Sequence, residues 1–351
     1  YLRRVHEGSL TKLETKVVAA HVASIYQFAN DRGLNPVSIR VFNPTIESDG
    51  YASRGTVVEV STLDRPFLVD SLTGEILSQG AAVEYVVHPV IGTTRDAEGA
   101  LTSIGPARDA KVRESVQHYE LDRVLPIDEM QRLHDGLNRT LGDVRKAVDD
   151  FGQLKGRILR MIDLARQGKN RYPAEDVTNT EAFLQWLLDL NFVFLGYREY
   201  EIIDNAGVPS LQVVPDSGLG ILRGEGTSAY DQPVAMADIP KDVRGRFESG
   251  DLLVITKANS VSTVHRRVKL DYIGVRMVDS AGRIHGEARM LGIFTSKAYM
   301  TPASGLPILD HKLQRIIEAE DLIEGTHDHK ATIEIFESFP KEELFSSPWT
   351  E

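Results

Sequence analysis

The stretch Gly55-Thr-Val-Val-Glu-Val-Ser-Thr-Leu-Asp-Arg-Pro-Phe-Leu-Val-Asp-Ser71 decides how the first half of the chain is read. Val58 and Val60 alternate with Glu59 and Ser61, the period-two pattern of a strand with one buried face. Asp64 can cap a following helix, with Pro66 in its first turn, where a missing N–H costs nothing. Leu68, Leu72 and Ile76 then recur at i, i+4 and i+8 and form one apolar stripe, which Gly80 ends. A second strand is expected from Val83 to Ile91, a turn at Arg95-Asp-Ala-Glu-Gly, and a third strand around Val116 to Val124. The resulting βαββα order over residues 55–127 predicts a small antiparallel-rich sheet with helices on one face.

Working outward, residues 1–54 read as an N-terminal helix and strand. Val17, Val18, His21, Val22, Ile25 and Phe28 keep the helical period, and Val37 to Phe42 alternates. Residues 128–175 read as a helical connector. Its apolar positions, from Met130 and Leu133 through Leu154, Ile158 and Ile162, are spaced three and four apart, with Asp128 as cap and Gly168 as stop. Gly152 and Gly156 could divide it into a hairpin, and its seam could face its own domain or a second subunit. Residues 176–300 begin with a helix over Glu181–Leu190 and continue as strands near 192–203, 211–214, 252–256, 272–278 and 289–294, a PAS- or ACT-like pattern. Residues 301–351 read as a helix followed by an echo of the first unit. Thr332-Ile-Glu-Ile-Phe before Pro340 lies over Val57-Val-Glu-Val-Ser before Pro66, as if a further, truncated ACT-like unit began there. The predicted fold class is therefore α+β: tandem ACT-like (βαββα) and PAS/ACT-like antiparallel-sheet domains joined by a long helical connector.

Composition narrows the function classes. The 351 residues carry 51 acidic and 40 basic side chains, a formal net charge of −11, and no cysteine. The acidic excess argues against nucleic-acid or anionic-membrane partners, which need a basic surface. Without cysteine there is no disulfide, thiolate metal site or cysteine nucleophile, and a reducing cytoplasmic location is expected. The charge-free run from Tyr85 to Thr94 is far shorter than the roughly 20 residues of a membrane span. A start at Tyr-Leu-Arg-Arg, with neither Met nor a signal core, suggests a piece of a longer polypeptide.

Few motifs carry chemistry. Gly218-Leu-Gly-Ile-Leu-Arg-Gly224 is one residue too long for a dinucleotide fingerprint and opens no helix, so it reads as a tight loop. His327-Asp-His329 could offer alternate imidazoles from a strand, but its polar setting reads as a solvated loop. His265-Arg-Arg-Val-Lys269 reads as a basic cluster on an exposed sheet face. The candidate effector site is the strand-to-helix loop, with Asp64, Arg65, Phe67, Leu68, Asp70 and Ser71 as its residues. A helix N-terminus there would present free N–H groups to a carboxylate, and Asp64 and Asp70 could take an ammonium group. Structural duty for the same loop, with Asp64 as cap and Phe67 and Leu68 as core, is the alternative. No catalytic, cofactor-binding or metal residue is expected in this segment.

Several longer motifs carry a resemblance. Asp64-Arg-Pro-Phe-Leu-Val-Asp-Ser71, Phe194-Leu-Gly-Tyr-Arg-Glu-Tyr200, Ser217-Gly-Leu-Gly-Ile-Leu-Arg223, Thr256-Lys-Ala-Asn-Ser-Val-Ser-Thr-Val-His-Arg266 and Leu291-Gly-Ile-Phe-Thr-Ser296 occur in order along the chain. Together they resemble the N-terminal half of the large, roughly 180-kDa class of bacterial NAD-specific glutamate dehydrogenases. The resemblance implies ACT-like and PAS-like regulatory domains upstream of a catalytic region that oxidatively deaminates L-glutamate to 2-oxoglutarate with NAD, in a homotetramer. It implies a regulatory and oligomer-organising segment responding to an amino-acid effector, or a purely architectural one. Phe67 stands where many amino-acid-binding ACT domains have Gly, and its bulk would fill the effector pocket.

Overall fold

The computed structural model describes residues 14–224 and 226–347, so residues 1–13 of the expected N-terminal segment lie outside it. The described residues fall into two units: residues 14–145 with 263–267, and residues 146–262 with 268–347.

The first unit runs α1 (Thr15–Asp31), β1 (Val37–Phe42), β2 (Val57–Leu63), α2 (Leu68–Ser78), β3 (Val83–Val87), β4 (Val90–Arg95), β5 (Leu101–Pro106), β6 (Arg113–Leu121) and α3 (Ile127–Asp149). Its sheet is antiparallel, in the order β1-β2-β6-β4-β5, with β3 also paired to β6. The strand expected over 83–91 is two strands. His88 and Pro89 interrupt it, since a proline cannot donate to a ladder. The expected arrangement of helices on one face is also corrected. Six of the seven β2 residues are buried, Glu59 and Ser61 included, because helices cover both faces. On one face Val116 packs with Ile25 and Ala29 of α1. On the other, Val58, Val60 and Tyr119 are buried with Leu72 and Ile76 of α2, the predicted stripe. Full burial of each such side chain stabilises by about 1.5–3 kcal/mol.

The periodic stretch from 130 to 162 is two helices, α3 and α4 (Phe151–Gln167), separated at Asp150 and not at either glycine. The seam of α3 (Leu133, Leu137, Leu141 and Val144) is buried within the chain itself, the non-coiled-coil alternative.

The second unit continues with α5 (Ala174–Trp186), β7 (Phe192–Asn205), β8 (Val208–Val213), β9 (Leu219–Gly220), β10 (Val234–Ala235), α6 (Lys241–Ser249), β11 (Leu253–Val261), β12 (Lys269–Val278), β13 (Ile284–Phe294), α7 (Pro307–Ala319), α8 (His327–Ser338) and α9 (Lys341–Ser346). Its antiparallel sheet has the order β10-β8-β7-β13-β12-β11. Ile158, Phe183, Tyr197, Ile273, Met290 and Leu309 share its core. The expected strand at 332–336 is part of helix α8. Thr326 caps that helix, its hydroxyl accepting from His329 N–H, so the echo of the first unit does not extend to conformation. His327, exposed, and His329, half-buried, consequently sit in the first turn of a helix. Among the described residues no helix is long and apolar enough to cross a membrane.

Candidate functional site

The loop after β2 does not close as the capping argument predicts. Helix α2 starts at Leu68, and the residue before it is Phe67, at φ 70°, with no side-chain cap. Asp64 instead continues the ladder, its N–H donating to Arg113 O at 2.9 Å. A left-handed backbone costs a non-glycine residue about 1–2 kcal/mol, so Phe67 occupies a conformation suited to glycine. Leu68 and Ser71 are buried, Asp64, Arg65 and Phe67 are half-buried, and Asp70 is exposed.

The structure brings to this loop a segment that the sequence assigned to an exposed sheet face. Residues 263–267 leave the β11–β12 connection, which Ser262 N–H closes on Val268 O at 2.9 Å, and belong to the first unit. His265 N–H donates to Ser71 Oγ at 2.9 Å, and the Ser71 hydroxyl donates to Phe67 O at 2.6 Å. The His265 ring meets Asp70 Oδ2 at 3.1 Å and lies 5.2 Å from the Phe67 ring. Arg267 pairs with the buried Glu75 at 2.5 Å, and Thr263 donates to Asp143 Oδ2 at 2.7 Å. Asp70, Ser71 and Phe67 are thus gathered under an intrachain strap, with Leu68 in the core beside them. Complementary charge between the basic 265–267 run and Asp70 and Glu75 was the available signal, but nothing local places residues nearly 200 positions apart together.

Ser71 offers a direct test. Ser71→Ala leaves the strap's His265 N–H without its acceptor, and an unmade buried hydrogen bond costs about 1–3 kcal/mol. The midpoint of urea unfolding should fall accordingly, and amide exchange at His265 should accelerate more than in the β2–β6 ladder.

A second polar cluster lies under α1. The β1–β2–β6 register aligns Arg40, Glu59 and His118 as one rung across three strands. Arg40 donates to Glu59 Oε2 at 2.6 Å and to Ser24 Oγ at 2.8 Å. His118 Nδ1 lies 3.1 Å from Glu59 Oε1 and 3.3 Å from Nε2 of His21, whose ring stacks on Tyr51 at 4.6 Å. Burial, then the charge of His118, pushes the His21 pKa down to about 4. Burial opposes charge on His118 as well, but Glu120 and Glu59 outweigh it and raise its pKa. His21 reads in sequence only as part of a helical stripe, and Glu59 as a solvent-facing strand residue.

An open cleft of about 820 Å³ in the same unit is lined by Arg32, Arg95, Lys111 and Glu114, and of the 63–71 stretch Leu63 reaches it. In the second unit the Gly218–Gly224 loop carries a structural duty. Gly220 N–H donates to Asp150 Oδ2 at 2.7 Å, and Arg223 pairs with Asp150 at 3.0 Å.

Comparison with known proteins follows the same division. Residues 1–137 match the family described as glutamate dehydrogenase, ACT1 domain, and residues 306–351 the family described as glutamate dehydrogenase, helical motif 1. The first unit thus contains most of the stretch that is similar to an ACT1 domain. The chain is 31% identical over 319 residues to the NAD-specific glutamate dehydrogenase of Pseudomonas aeruginosa, covering 88% of this chain and 19% of that protein. It is 31% identical over 330 residues to that of Halomonas elongata (92% and 20%) and 21% identical over 332 residues to that of Mycobacterium tuberculosis (93% and 19%). The chain spans about one fifth of the length of these curated relatives. By these matches it is related to the N-terminal region of the large NAD-specific glutamate dehydrogenases.

Proposed function

We propose that this chain is the non-catalytic regulatory and oligomer-organising region of an NAD-dependent glutamate dehydrogenase. The whole protein would convert L-glutamate, NAD and water to 2-oxoglutarate, ammonium and NADH, as a cytoplasmic homotetramer. NAD and the catalytic residues would belong to the rest of that polypeptide. In this reading residues 55–127 are the ACT-like sensor, 128–175 the connector, 176–300 a PAS/ACT-like domain, and 301–351 a trailing segment. The observation that carries it is the ACT1 match over the residues that include the strapped loop.

The effector would be an amino acid bound by Asp64, Arg65, Phe67, Leu68, Asp70 and Ser71. Its ammonium group would compete with His265 for the Asp70 carboxylate, and release of the strap would reach β11 and β12 through the chain itself. An effector regulates only to the extent that it binds the released and strapped states differently. One observation favours the architectural alternative: the Phe67 ring already packs against His265, 5.2 Å between centroids, and fills the space a glycine would leave.

Calorimetry of the chain against a panel of amino acids separates these readings. Heat that disappears in Asp70→Asn supports the effector site, whereas silence for every amino acid supports pure architecture. NADH formation from L-glutamate by this chain alone would overturn the non-catalytic assignment.

A further inference from the structure

The geometry points to a divalent metal site of the zinc class beneath α1, with His21 Nε2, His118 Nδ1 and Glu59 Oε1 as its protein ligands. One ligand atom from each of the three residues lies within 4.8 Å of the other two, and no other such group of His, Cys, Asp and Glu occurs among the described residues. Zinc–nitrogen bonds of about 2.0–2.1 Å on a tetrahedron put neighbouring ligand atoms roughly 3.3 Å apart. The observed separations are 3.3 Å between the two imidazole nitrogens and 3.1 Å between His118 Nδ1 and Glu59 Oε1. Two imidazoles and a carboxylate form a borderline donor set that suits zinc.

The surroundings hold these donors in place. Glu59 and His118 are directly opposite one another on paired strands, so the ladder fixes their spacing. Arg40 occupies Glu59 Oε2 and leaves Oε1 facing the histidines. His118 Nε2 is buried without a hydrogen-bond partner and has Glu120 Oε1 3.6 Å away, the carboxylate–histidine pairing that commonly orients a metal-bound imidazole. Tyr51, stacked on His21 with 19° between ring planes, sets the plane of the third ligand. With His118 deprotonated, as a metal ligand must be, two carboxylates, Glu59 and Glu120, face one guanidinium, and the donor set is net negative towards an entering cation. Such a site would tie α1 to the centre of the sheet, and binding it would stabilise the folded unit.

The probe is Zn2+ itself, added to the full chain after exhaustive dialysis against a metal-free buffer. The wild type should take up zinc stoichiometrically and unfold at a higher temperature when loaded. Co2+ in its place should give visible d–d absorption. His21→Ala, at a half-buried helix position that should tolerate the change, should lose both. Glu120→Gln should keep the site and weaken it about 10–100-fold. His329→Ala should bind as the wild type does. A wild type that takes up no zinc, or a His21→Ala variant that binds it with unchanged affinity, would overturn the proposal and leave a shared proton as the only occupant.

Discussion

Glu114→Ala should destabilise the chain by about 3–5 kcal/mol, the cost of removing one partner from a buried ion pair. Glu114 is buried on β6 between two arginines. Arg32 reaches it at 2.5 Å, and Arg95 makes a two-point contact at 2.8 and 2.9 Å. Arg95 also donates to Ala29 O and Gly99 O, both at 2.7 Å, and Arg32 to Asn35 O at 2.6 Å. The carboxylate therefore anchors both the end of α1 and the turn before β5 to the sheet. Without it, two nearly buried cations remain side by side, and water entering through the adjoining cleft offsets part of that cost. The check is urea unfolding, with a lower midpoint at unchanged slope. Glu114→Gln, which keeps the shape and loses the charge, should fall between the two.

The same residue fixes a pH dependence. Burial alone would raise the Glu114 pKa, but the hydrogen bond from Arg95 and the charge of Arg32 outweigh it and hold the group below its ordinary 4.5. A depressed folded-state pKa means the contribution is complete above the unfolded value and is lost as pH falls through the folded one. Stability of the wild type should thus decline below about pH 4.5, and Glu114→Ala should show a shallower acid limb. Equal acid slopes for the two proteins would refute the assignment.

The second large effect is expected at Gly220. Its φ is 60°, and an added Cβ would overlap the Leu195 carbonyl oxygen, which is backbone and cannot swing away. Gly220→Ala combines left-handed strain of about 1–2 kcal/mol with displacement of β9 from β7, to which it pairs through Gly220 opposite Gly196, so a loss of about 3 kcal/mol or more is expected. Gly156→Ala has the opposite sign. That glycine lies in the exposed interior of α4 with open space around it, and alanine there should gain up to about 1 kcal/mol. Melting temperatures of the two variants should move in opposite directions. Within the glycine-rich loop, Gly220 answers to the Leu195 carbonyl and the Asp150 carboxylate.

Local pattern carried much of the architecture. The period-two run at Val57–Leu63, the stripe Leu68, Leu72 and Ile76, and the three-four spacing of 130–162 are each set by a few neighbouring residues, and all form the expected elements. Pattern failed where local and distant forces differ. Thr332–Phe336 alternates like a strand, yet the Thr326 cap and the fit of α8 against its neighbours make it helical. Pro89 divides a strand that its apolar neighbours made look continuous. Glu59 and Ser61 alternate as if they faced solvent, and only the helix laid over them shows that both faces of β2 are covered.

The candidate site divides in the same way. Residues 64–71 were identifiable because strand, loop and helix follow one another in sequence and the stretch lies contiguously within the residues that match the ACT1 domain family. What lies on that loop was not identifiable. His265 reaches Ser71 across 194 positions, and His118 stands opposite Glu59 across 59, through strand register and loop closure. Periodicity reports which face a side chain takes within its own element. It carries no information about which distant element meets that face, since that choice is made by packing the whole unit at once.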